Sequence, residues 1–239
     1  VLLEGISSLG TIWFCVRGPN NEIVSCPVQV TNNAFSYNLY LRFGPGKYTI
    51  WAGDNGSRFD GSIRFEVENV QVEDSRYLLP SPYIDSDNKD IINLAASLAK
   101  PQMTDLQKIS AIHDWVAKNV RYDAAAYYAK ENELKKASQT AKEKTGMCRD
   151  YSFLVAALAR ASGLPAKVVY GTARDSNNTL QDHAWNEVLI NNIWISIDAA
   201  WDAGYLKNGE FVFAYSDKYF NPDPGIFAQS HSKTMVALH

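Results

Sequence analysis

Short apolar runs alternate with turn signals over the first 75 residues. The turn segments, among them GPNN, FGPG and GDNGSRFDG, are rich in Gly, Pro and Asn, which favour tight turns. Five segments between the turns are predicted to be strands: TIWFCV, EIVSCPVQV, AFSYNLYL, KYTIWAG and SIRFEVENV. Strands this short at this spacing are typical of a β-sandwich. We therefore predict a small all-β, immunoglobulin-like module over residues 1–76, with a binding or spacer role.

Helical patterns follow a proline-containing linker, YLLPSPYIDSD. Ser86 or Asp87 is predicted to cap a helix through IINLAASLAK, which Pro101 ends. Thr104 and Gln107 match a capping box that opens the next helix, TDLQKISAIHDWVAKNV. The apolar positions of this second helix recur at helical spacing, which predicts one buried face.

The second half of the chain alternates between a buried helix and strands. A weaker, charged helix is predicted over residues 125–137. From Cys148 to Ser162 the sequence is nearly all apolar, which predicts a helix that is buried on most sides. Gly163 and Pro165 are predicted to end that helix. Three strands are then predicted: AKVVYGTA, HAWNEVLI and IWISIDAAW.

The last two of these strands are joined by Asn191 and Asn192, a pair that tolerates the positive φ angles of a type I′ turn. This turn would place Trp185 opposite Asp198. His183 would then share a face with Asp198 as its diagonal neighbour, roughly 7–8 Å away at the backbone, so that the two side chains can meet. The other face is almost wholly apolar and is predicted to be the core side: Ala184, Val188, Ile190, Ile193, Ile195 and Ile197.

Cys148 stands at the start of the buried helix, where a capping Ser, Thr, Asp or Asn is usual. The helix dipole and unpaired amides at that end stabilise a thiolate, and an imidazole that takes the proton stabilises it further. A carboxylate on the other ring nitrogen orients the imidazole. Cys148, His183 and Asp198 therefore fit the roles of nucleophile, base and orienting group. The alternative reading is a buried thiol, a packed histidine and a capping or solvated aspartate.

The other two cysteines flank the first predicted hairpin turn. A turn centred between Asn20 and Asn21 would place Cys15 directly opposite Cys26, close enough for a disulfide. Two small buried thiols in a reducing compartment fit the same sequence.

Composition excludes several classes of function. The chain has 239 residues, 46% of them hydrophobic, and a net charge of −3, which are values of an ordinary globular protein rather than of a basic nucleic-acid or membrane-surface binder. No apolar run approaches the roughly 20 residues that span a bilayer. The start, VLLEGISSLG, lacks Met and a basic region, so we expect a mature or trimmed fragment rather than a signal peptide. The acidic residues are scattered, and a zinc site on Cys148 and His183 would lack further closely spaced ligands, so no metal or cofactor is expected.

Four motifs together resemble the transglutaminase-like superfamily of papain-like cysteine acyl-transfer enzymes and proteases: G-M-C-R-D-Y, A-x-G-L-P-A-K-V-V-x-G, H-A-W-N-E-V and I-W-I-S-I-D. The resemblance covers roughly residues 80–205, and the stretches YLLPSPYIDSDNKDIINLA and AIHDWVAKNVRYD are similar to secreted bacterial members. It implies an α+β catalytic domain over residues 77–239, in which a helix that bears Cys148 packs on an antiparallel sheet. It assigns Cys148 as nucleophile, His183 as base and Asp198 as third member. Trp185 is expected to wall the site or to be a core residue.

The resemblance implies acyl transfer on protein or peptide amides through a thioester at Cys148. An amine acceptor would give crosslinking, and water would give peptidase or amidase activity. It also implies an extracellular or cell-surface location, and cell-wall peptides are a possible substrate. The alternative is a non-catalytic cell-surface binding or scaffold protein that keeps the fold.

Several positions have no firm role in this reading. Trp115, Tyr122 and Gln139 are candidates for an extra oxyanion donor, although packing is the simpler role for the two aromatic residues. Three other histidines are expected to be ordinary: His113, His231 and His239. Residues 206–239 are expected to form an irregular tail that packs along the catalytic domain, with short helical or strand pieces.

Overall fold

The computed structural model describes residues 1–70, 73–175 and 178–238. The chain divides into two compact units: residues 1–82 together with Leu238, and residues 83–237. Each unit has an apolar core of its own. Within the described part of the chain, no helix is both long and apolar enough to cross a membrane.

The first unit is all β, as the sequence predicts. Its strands are β1 (Leu2–Ile6), β2 (Thr11–Arg17), β3 (Ile23–Gln29), β4 (Ala34–Asn38), β5 (Gly46–Gly53) and β6 (Ile63–Asn69). Four of them form an antiparallel sheet in the order β3-β2-β5-β6, and β1 pairs with β4. Alternate residues of β2, such as Phe14 and Val16, are buried, which is the pattern of a strand with one face on a core.

The predicted pairing of Cys15 with Cys26 is wrong. The turn closes where the Gly18 amide donates to the Glu22 carbonyl at 2.8 Å, so the loop between β2 and β3 holds an odd number of residues. This moves the register by one residue and places Cys15 opposite Ser25. A one-residue shift sends a side chain to the other face of the sheet. Among the described residues, no two cysteines form a disulfide.

The second unit contains the helices α1 (Lys89–Leu98), α2 (Asp105–Asn119), α3 (Ala124–Ala129), α4 (Ala137–Glu143), α5 (Cys148–Ala161), α6 (Ala199–Ala203) and α7 (Pro224–Phe227). The capping box of α2 is confirmed, because the Gln107 amide donates to Thr104 Oγ1 and the Thr104 amide donates to Gln107 Oε1. The cap of α1 is Asn88 rather than Ser86 or Asp87.

The helix predicted over residues 125–137 is wrong in extent. α3 ends at Ala129, and its C-cap, Lys130, adopts a left-handed conformation with a φ of 56°. The chain becomes helical again only at Ala137, whose amide donates to the carbonyl of Tyr83 at 2.9 Å. A tertiary hydrogen bond therefore sets the start of α4, which local sequence does not reveal.

The strands of the second unit are β7 (Arg121–Tyr122), β8 (Thr145–Gly146), β9 (Ala166–Arg174), β10 (Leu180–Ile190), β11 (Ile193–Ile197), β12 (Gly204–Lys207), β13 (Glu210–Phe213) and β14 (His231–Val236). The main sheet is antiparallel with the order β11-β10-β9-β14. Asn191 and Asn192 both have positive φ, and Ile190 pairs with Ile193, so the predicted hairpin is confirmed. Ile193 is nevertheless exposed, contrary to its predicted place in the core.

The hairpin is shorter than predicted. β11 ends at Ile197, and its pairing with β10 ends there at Asn186, so Trp185 does not pair with Asp198. Asp198 instead caps α6. The C-terminal region is also more ordered than an irregular tail, since β14 joins the main sheet beside β9.

α5 is the central helix of the second unit. Its residues 150–160 are all buried, in a cluster with residues of α1, α2 and the main sheet. The N-cap is Met147, so Cys148 is the first helical residue rather than the cap. The Met147 amide donates to the Asp150 carboxylate at 2.8 Å, which fixes the helix start. Gly163 follows the helix with a φ of +80°, as predicted for a left-handed end.

Candidate active site

His183 and Asp198 form a buried pair. Asp198 Oδ1 accepts from the amides of Ala200 and Trp201, each at 3.1 Å, because Asp198 is the N-cap of α6. Its other oxygen, Oδ2, lies 2.6 Å from His183 Nε2. The carboxylate is thus held by backbone amides while it orients the imidazole. Nδ1 of His183 is left for the hydrogen bond that the ring makes with the Cys148 side chain.

Charge favours an imidazolium at His183. Burial opposes protonation, but the Asp198 carboxylate and the Cys148 thiol outweigh burial and raise the pKa of His183 from its ordinary value of 6.5 to about 10. Burial likewise opposes ionisation of Asp198, yet the charge and hydrogen bonds of His183, followed by those of His231, hold its pKa well below the usual range. The pair therefore carries opposite charges at neutral pH.

Cys148 completes the arrangement from the first turn of α5. Its side chain is half-buried and lines a cleft with His183. The position at the helix N-terminus supplies unpaired amides and the positive end of the dipole. The structure therefore brings together the three residues that the sequence singles out for chemistry. A thiol, an imidazole and a carboxylate in this order can generate a nucleophilic thiolate.

The cleft beside Cys148 has a volume of about 530 Å³. Three tyrosines, Tyr122, Tyr127 and Tyr170, contribute aromatic surface to its lining. Charges of both signs lie around it: Lys130, Glu131, Arg149 and Asp182. Two cleft residues, Thr234 and Met235, come from β14. An extended chain that presents both apolar and polar groups fits this lining.

Trp185 does not line this cleft. It is 2% exposed and packs in a small cluster with Val169 and Phe227. Its ring stacks near His183, with centroids 6.3 Å apart. Of the two roles that the sequence leaves open for Trp185, the structure thus places it as a packing residue behind the imidazole.

Tyr122 is the one of the three oxyanion candidates that lines the cleft. Burial raises the pKa of its hydroxyl, and the adjacent Cys148 side chain raises it further, so the phenol stays protonated and able to donate. The other two lie elsewhere. Trp115 packs against the core from α2, and the Gln139 side chain donates to Glu143 at 2.9 Å on the exposed face of α4.

His231 is a site residue that sequence reasoning missed. Its Nε2 lies 3.2 Å from Asp198 Oδ2, and its side chain is fully buried. The short alternation in HSKTMV is too weak to predict a strand, so nothing in the sequence places His231 beside the hairpin. His113 is a packing residue, as one reading of the sequence holds, and its Nε2 lies 3.0 Å from Asp202 in the buried part of α6.

His183, Asp198 and His231 also have metal-ligand atoms, all within 4.8 Å of one another. Both imidazoles, however, direct Nε2 at the same carboxylate oxygen. A nitrogen that donates a proton to a carboxylate has no lone pair for a cation. The two nitrogen–oxygen distances, 2.6 and 3.2 Å, are those of hydrogen bonds.

Curated relatives match part of the chain. Kyphoscoliosis peptidase of Homo sapiens is 27% identical over 147 residues, and that of Mus musculus is 26% identical over 147 residues. Each match covers 58% of this chain and 22% of the relative, so the chain spans about a fifth of the length of these relatives. An uncharacterised protein of Haemophilus influenzae is 29% identical over 100 residues, which cover 42% of this chain and 27% of that protein.

Solved structures with a similar chain trace include a protein from Cytophaga hutchinsonii proposed to be a cysteine protease. It has a TM-score of 0.48 and 17% identity, and the match covers 99% of this chain and 91% of that one. The periplasmic domain of TgpA from Pseudomonas aeruginosa has a TM-score of 0.39 and 14% identity, over 82% of this chain and 88% of that one.

The family model described as "Transglutaminase-like superfamily" matches residues 92–199. This range contains the helix that begins at Cys148, the strand that carries His183 and the cap residue Asp198. It agrees with the resemblance that the four sequence motifs indicate. Residues 92–199 therefore match the transglutaminase-like superfamily.

Proposed function

We propose that the protein is a cysteine-dependent acyl-transfer enzyme that acts on peptide or protein amide bonds. One observation carries the proposal. His183 contacts Asp198 through Nε2 at 2.6 Å and interacts with the Cys148 side chain, with which it lines a cleft. This arrangement supports the roles of nucleophile for Cys148, base for His183 and orienting carboxylate for Asp198.

In the first step, the Cys148 thiolate attacks the amide carbonyl carbon and forms a C–S bond. The C–N bond then breaks, and the proton on His183 Nδ1 passes to the leaving amine. The acyl group stays on sulfur as a thioester. His183 is suited to the role of proton donor, because its raised pKa keeps the ring protonated at neutral pH.

The carbonyl oxygen gains negative charge during this attack. Donors that face that position lower the barrier. The backbone N–H of Cys148 is one candidate, since it lies among the unpaired amides at the start of α5. The Tyr122 hydroxyl is the second, because it lies beside Cys148 in the cleft and stays protonated.

The second step regenerates the Cys148 thiolate and the protonated His183. Water or an amine loses a proton to His183 Nδ1 and attacks the thioester carbon, and the C–S bond breaks to release the thiolate. With water the reaction is hydrolysis, and with a lysine amine it is crosslinking. The name of the human and mouse relatives, a peptidase, favours water as the acceptor.

The setting of the reaction is also part of the proposal. The aromatic and charged lining of the cleft suits a peptide segment, and cell-wall or surface-protein peptides are the proposed substrates at an extracellular or cell-surface location. The all-β first unit is proposed to be an immunoglobulin-like binding or spacer module, on the basis of its four-stranded and two-stranded antiparallel sheets.

The test is the rate of Cys148 alkylation by iodoacetamide as a function of pH, read by peptide mapping so that Cys15 and Cys26 are scored separately. We expect a reactive thiolate well below pH 8 in the wild type, and an ordinary thiol near pH 8.5 in His183→Ala. Hydrolysis of labelled casein and incorporation of dansylcadaverine then distinguish the acceptors, with Cys148→Ala as the inactive control. An ordinary thiol profile in the wild type would favour the alternative of a non-catalytic binding protein.

A further inference from the structure

The last strand of the second unit brings a second imidazole to the proposed triad. His231 is the first residue of β14, and its Nε2 lies 3.2 Å from the same Asp198 oxygen that His183 contacts at 2.6 Å. We propose that His231 is a positioning residue, which holds the Asp198 carboxylate against His183 through a second N–H donor. This inference rests on the proposed function, because the position of His183 matters to it only if His183 activates Cys148.

Both oxygens of the Asp198 carboxylate accept hydrogen bonds. Oδ1 accepts two backbone amides, and Oδ2 accepts the two imidazoles. A carboxylate oxygen has two lone-pair sites, so the two rings fill those of Oδ2. Asp198 is 1% exposed, and water cannot readily replace a lost donor there. Without His231 one lone pair is unsatisfied and the carboxylate is held in place by fewer contacts.

The orientation of the His231 ring is fixed in turn by Ser230. His231 Nδ1 lies 2.9 Å from Ser230 Oγ, which also lies 3.3 Å from the carbonyl of Phe227. The Ser230 hydroxyl donates to the Phe227 carbonyl, and its oxygen stays within hydrogen-bond distance of Nδ1, so the ring is held with Nε2 directed at Asp198. The hydrogen-bond chain thus runs from Ser230 through His231, Asp198 and His183 to Cys148.

The surroundings of His231 are aromatic. Its ring stacks on Phe227 at 3.9 Å between centroids, and Trp201, Trp185 and Tyr219 lie at 4.7, 5.2 and 5.6 Å. If only packing mattered here, an apolar ring would suit this pocket better than a polar side chain. Packing and hydrogen bonding therefore predict opposite rankings for two substitutions at this position.

The backbone of β14 is seated firmly on the sheet. His231 pairs with Ala173 and Lys233 pairs with Gly171. A Cβ atom at Gly171 would lie 2.1 Å from the carbonyl oxygen of Ser232, so glycine is needed for this close approach. The position of His231 is thus set by a strand ladder rather than by a loose chain end.

The experiment compares His231→Gln with His231→Phe by the rate of Cys148 alkylation with iodoacetamide at pH 7. Gln can place an amide N–H near the position of Nε2, whereas Phe fills the aromatic pocket without a donor. We expect about a tenfold loss of rate for Phe, as one hydrogen bond of roughly 1.4 kcal/mol would give, and a rate within about threefold of wild type for Gln. Ser232→Ala, an exposed side chain of the same strand, is the control and should keep the wild-type rate.

A rate for Phe equal to or above that of Gln would overturn the proposal, because packing alone predicts that order. If Phe prevents folding, as seen by circular dichroism, Gln is compared with Asn, whose shorter amide does not reach Asp198. Equal rates for that pair would also overturn it. The His183→Ala variant distinguishes a failure of the proposed function from a failure of the role of His231. Wild-type reactivity in His183→Ala contradicts the proposed function itself. Lost reactivity there, together with full reactivity in His231→Phe, contradicts only the role of His231.

Discussion

The side-chain amide of Asn186 donates to the backbone carbonyl of Ser152 at 2.9 Å and to that of Lys167 at 3.1 Å. Ser152 lies one helical turn after Cys148, and Asn186 lies three residues after His183. One buried amide therefore joins the helix that carries the thiol to the strand that carries the imidazole.

Replacing Asn186 with Leu should weaken this link. The substitution keeps the branching of the side chain at Cγ but removes both hydrogen bonds of a residue that is 1% exposed. We expect a loss of about 1–3 kcal/mol in the free energy of unfolding, measured in urea, and slower alkylation of Cys148. Asn119→Leu is the control, since its amide donates only to the exposed helix carbonyl of Trp115. Equal losses in the two variants would contradict a specific link.

Tyr122→Phe tests the oxyanion donor. The hydroxyl matters only when a carbonyl oxygen gains charge, so turnover of labelled casein should fall about 100-fold in kcat with little change in KM. Alkylation by iodoacetamide creates no such charge and should stay close to the wild-type rate. Tyr127→Phe removes a cleft hydroxyl that donates to Gln181 instead, and serves as the matched control. A comparable fall in Tyr127→Phe would argue against a special role for Tyr122.

Stability should depend on pH through His183. Its pKa is raised from 6.5 to about 10, so its contribution is full below pH 6.5 and is lost as the pH rises through 10. The free energy of unfolding should fall by roughly a few kcal/mol between pH 7 and pH 10.5. The fall should be smaller in His183→Gln, measured by urea denaturation at each pH. Parallel curves for the two proteins would exclude this contribution.

The lowered pKa of Asp198 makes stability depend on pH in the opposite direction. Its contribution is present above the ordinary carboxyl value of 3.8 and is lost as the pH falls below it. Asp198→Asn lacks this contribution, so its free energy of unfolding should fall less steeply below pH 4 than that of the wild type, as measured by urea denaturation followed by near-ultraviolet circular dichroism. Equally steep curves for the two proteins would contradict the role of Asp198.

Gly171→Ala should displace β14. The added methyl group would meet the Ser232 carbonyl at 2.1 Å and the Trp185 ring at 2.8 Å. We expect a lower unfolding temperature and a loss of Cys148 reactivity at least as large as in His231→Phe. Gly10→Ala is the control, because no atom lies within 4 Å of the added Cβ. It should leave the unfolding temperature and the reactivity of Cys148 nearly unchanged. A silent Gly171→Ala would mean that the ladder between β9 and β14 is not tight in solution.

Local patterns predicted the elements that carry Cys148 and His183. The apolar run of α5 and the Asn191–Asn192 turn are both short-range signals, and the helix start and the hairpin followed from them. The predicted contact of Asp198 with His183 is present, but the predicted position of Asp198 on a strand is wrong. β11 ends one residue before Asp198, and the side chain caps α6.

What the sequence did not predict depends on contacts between distant segments. The start of α4 is set by a hydrogen bond to Tyr83, and His231 reaches Asp198 only because β14 pairs with β9. The predicted register of the first hairpin is wrong for a different reason. A loop of odd length and one of even length have similar composition, yet they place Cys15 opposite different residues.

The position of β14 in the order of synthesis has a consequence for when the site can form. The strand is the last element of the second unit, and it fills the edge of the sheet beside β9 as well as one wall of the cleft. During translation, Cys148, His183 and Asp198 all leave the ribosome before His231 does. The cluster around Asp198 therefore cannot close before β14 has been made, and completion of this unit coincides with completion of its proposed catalytic centre.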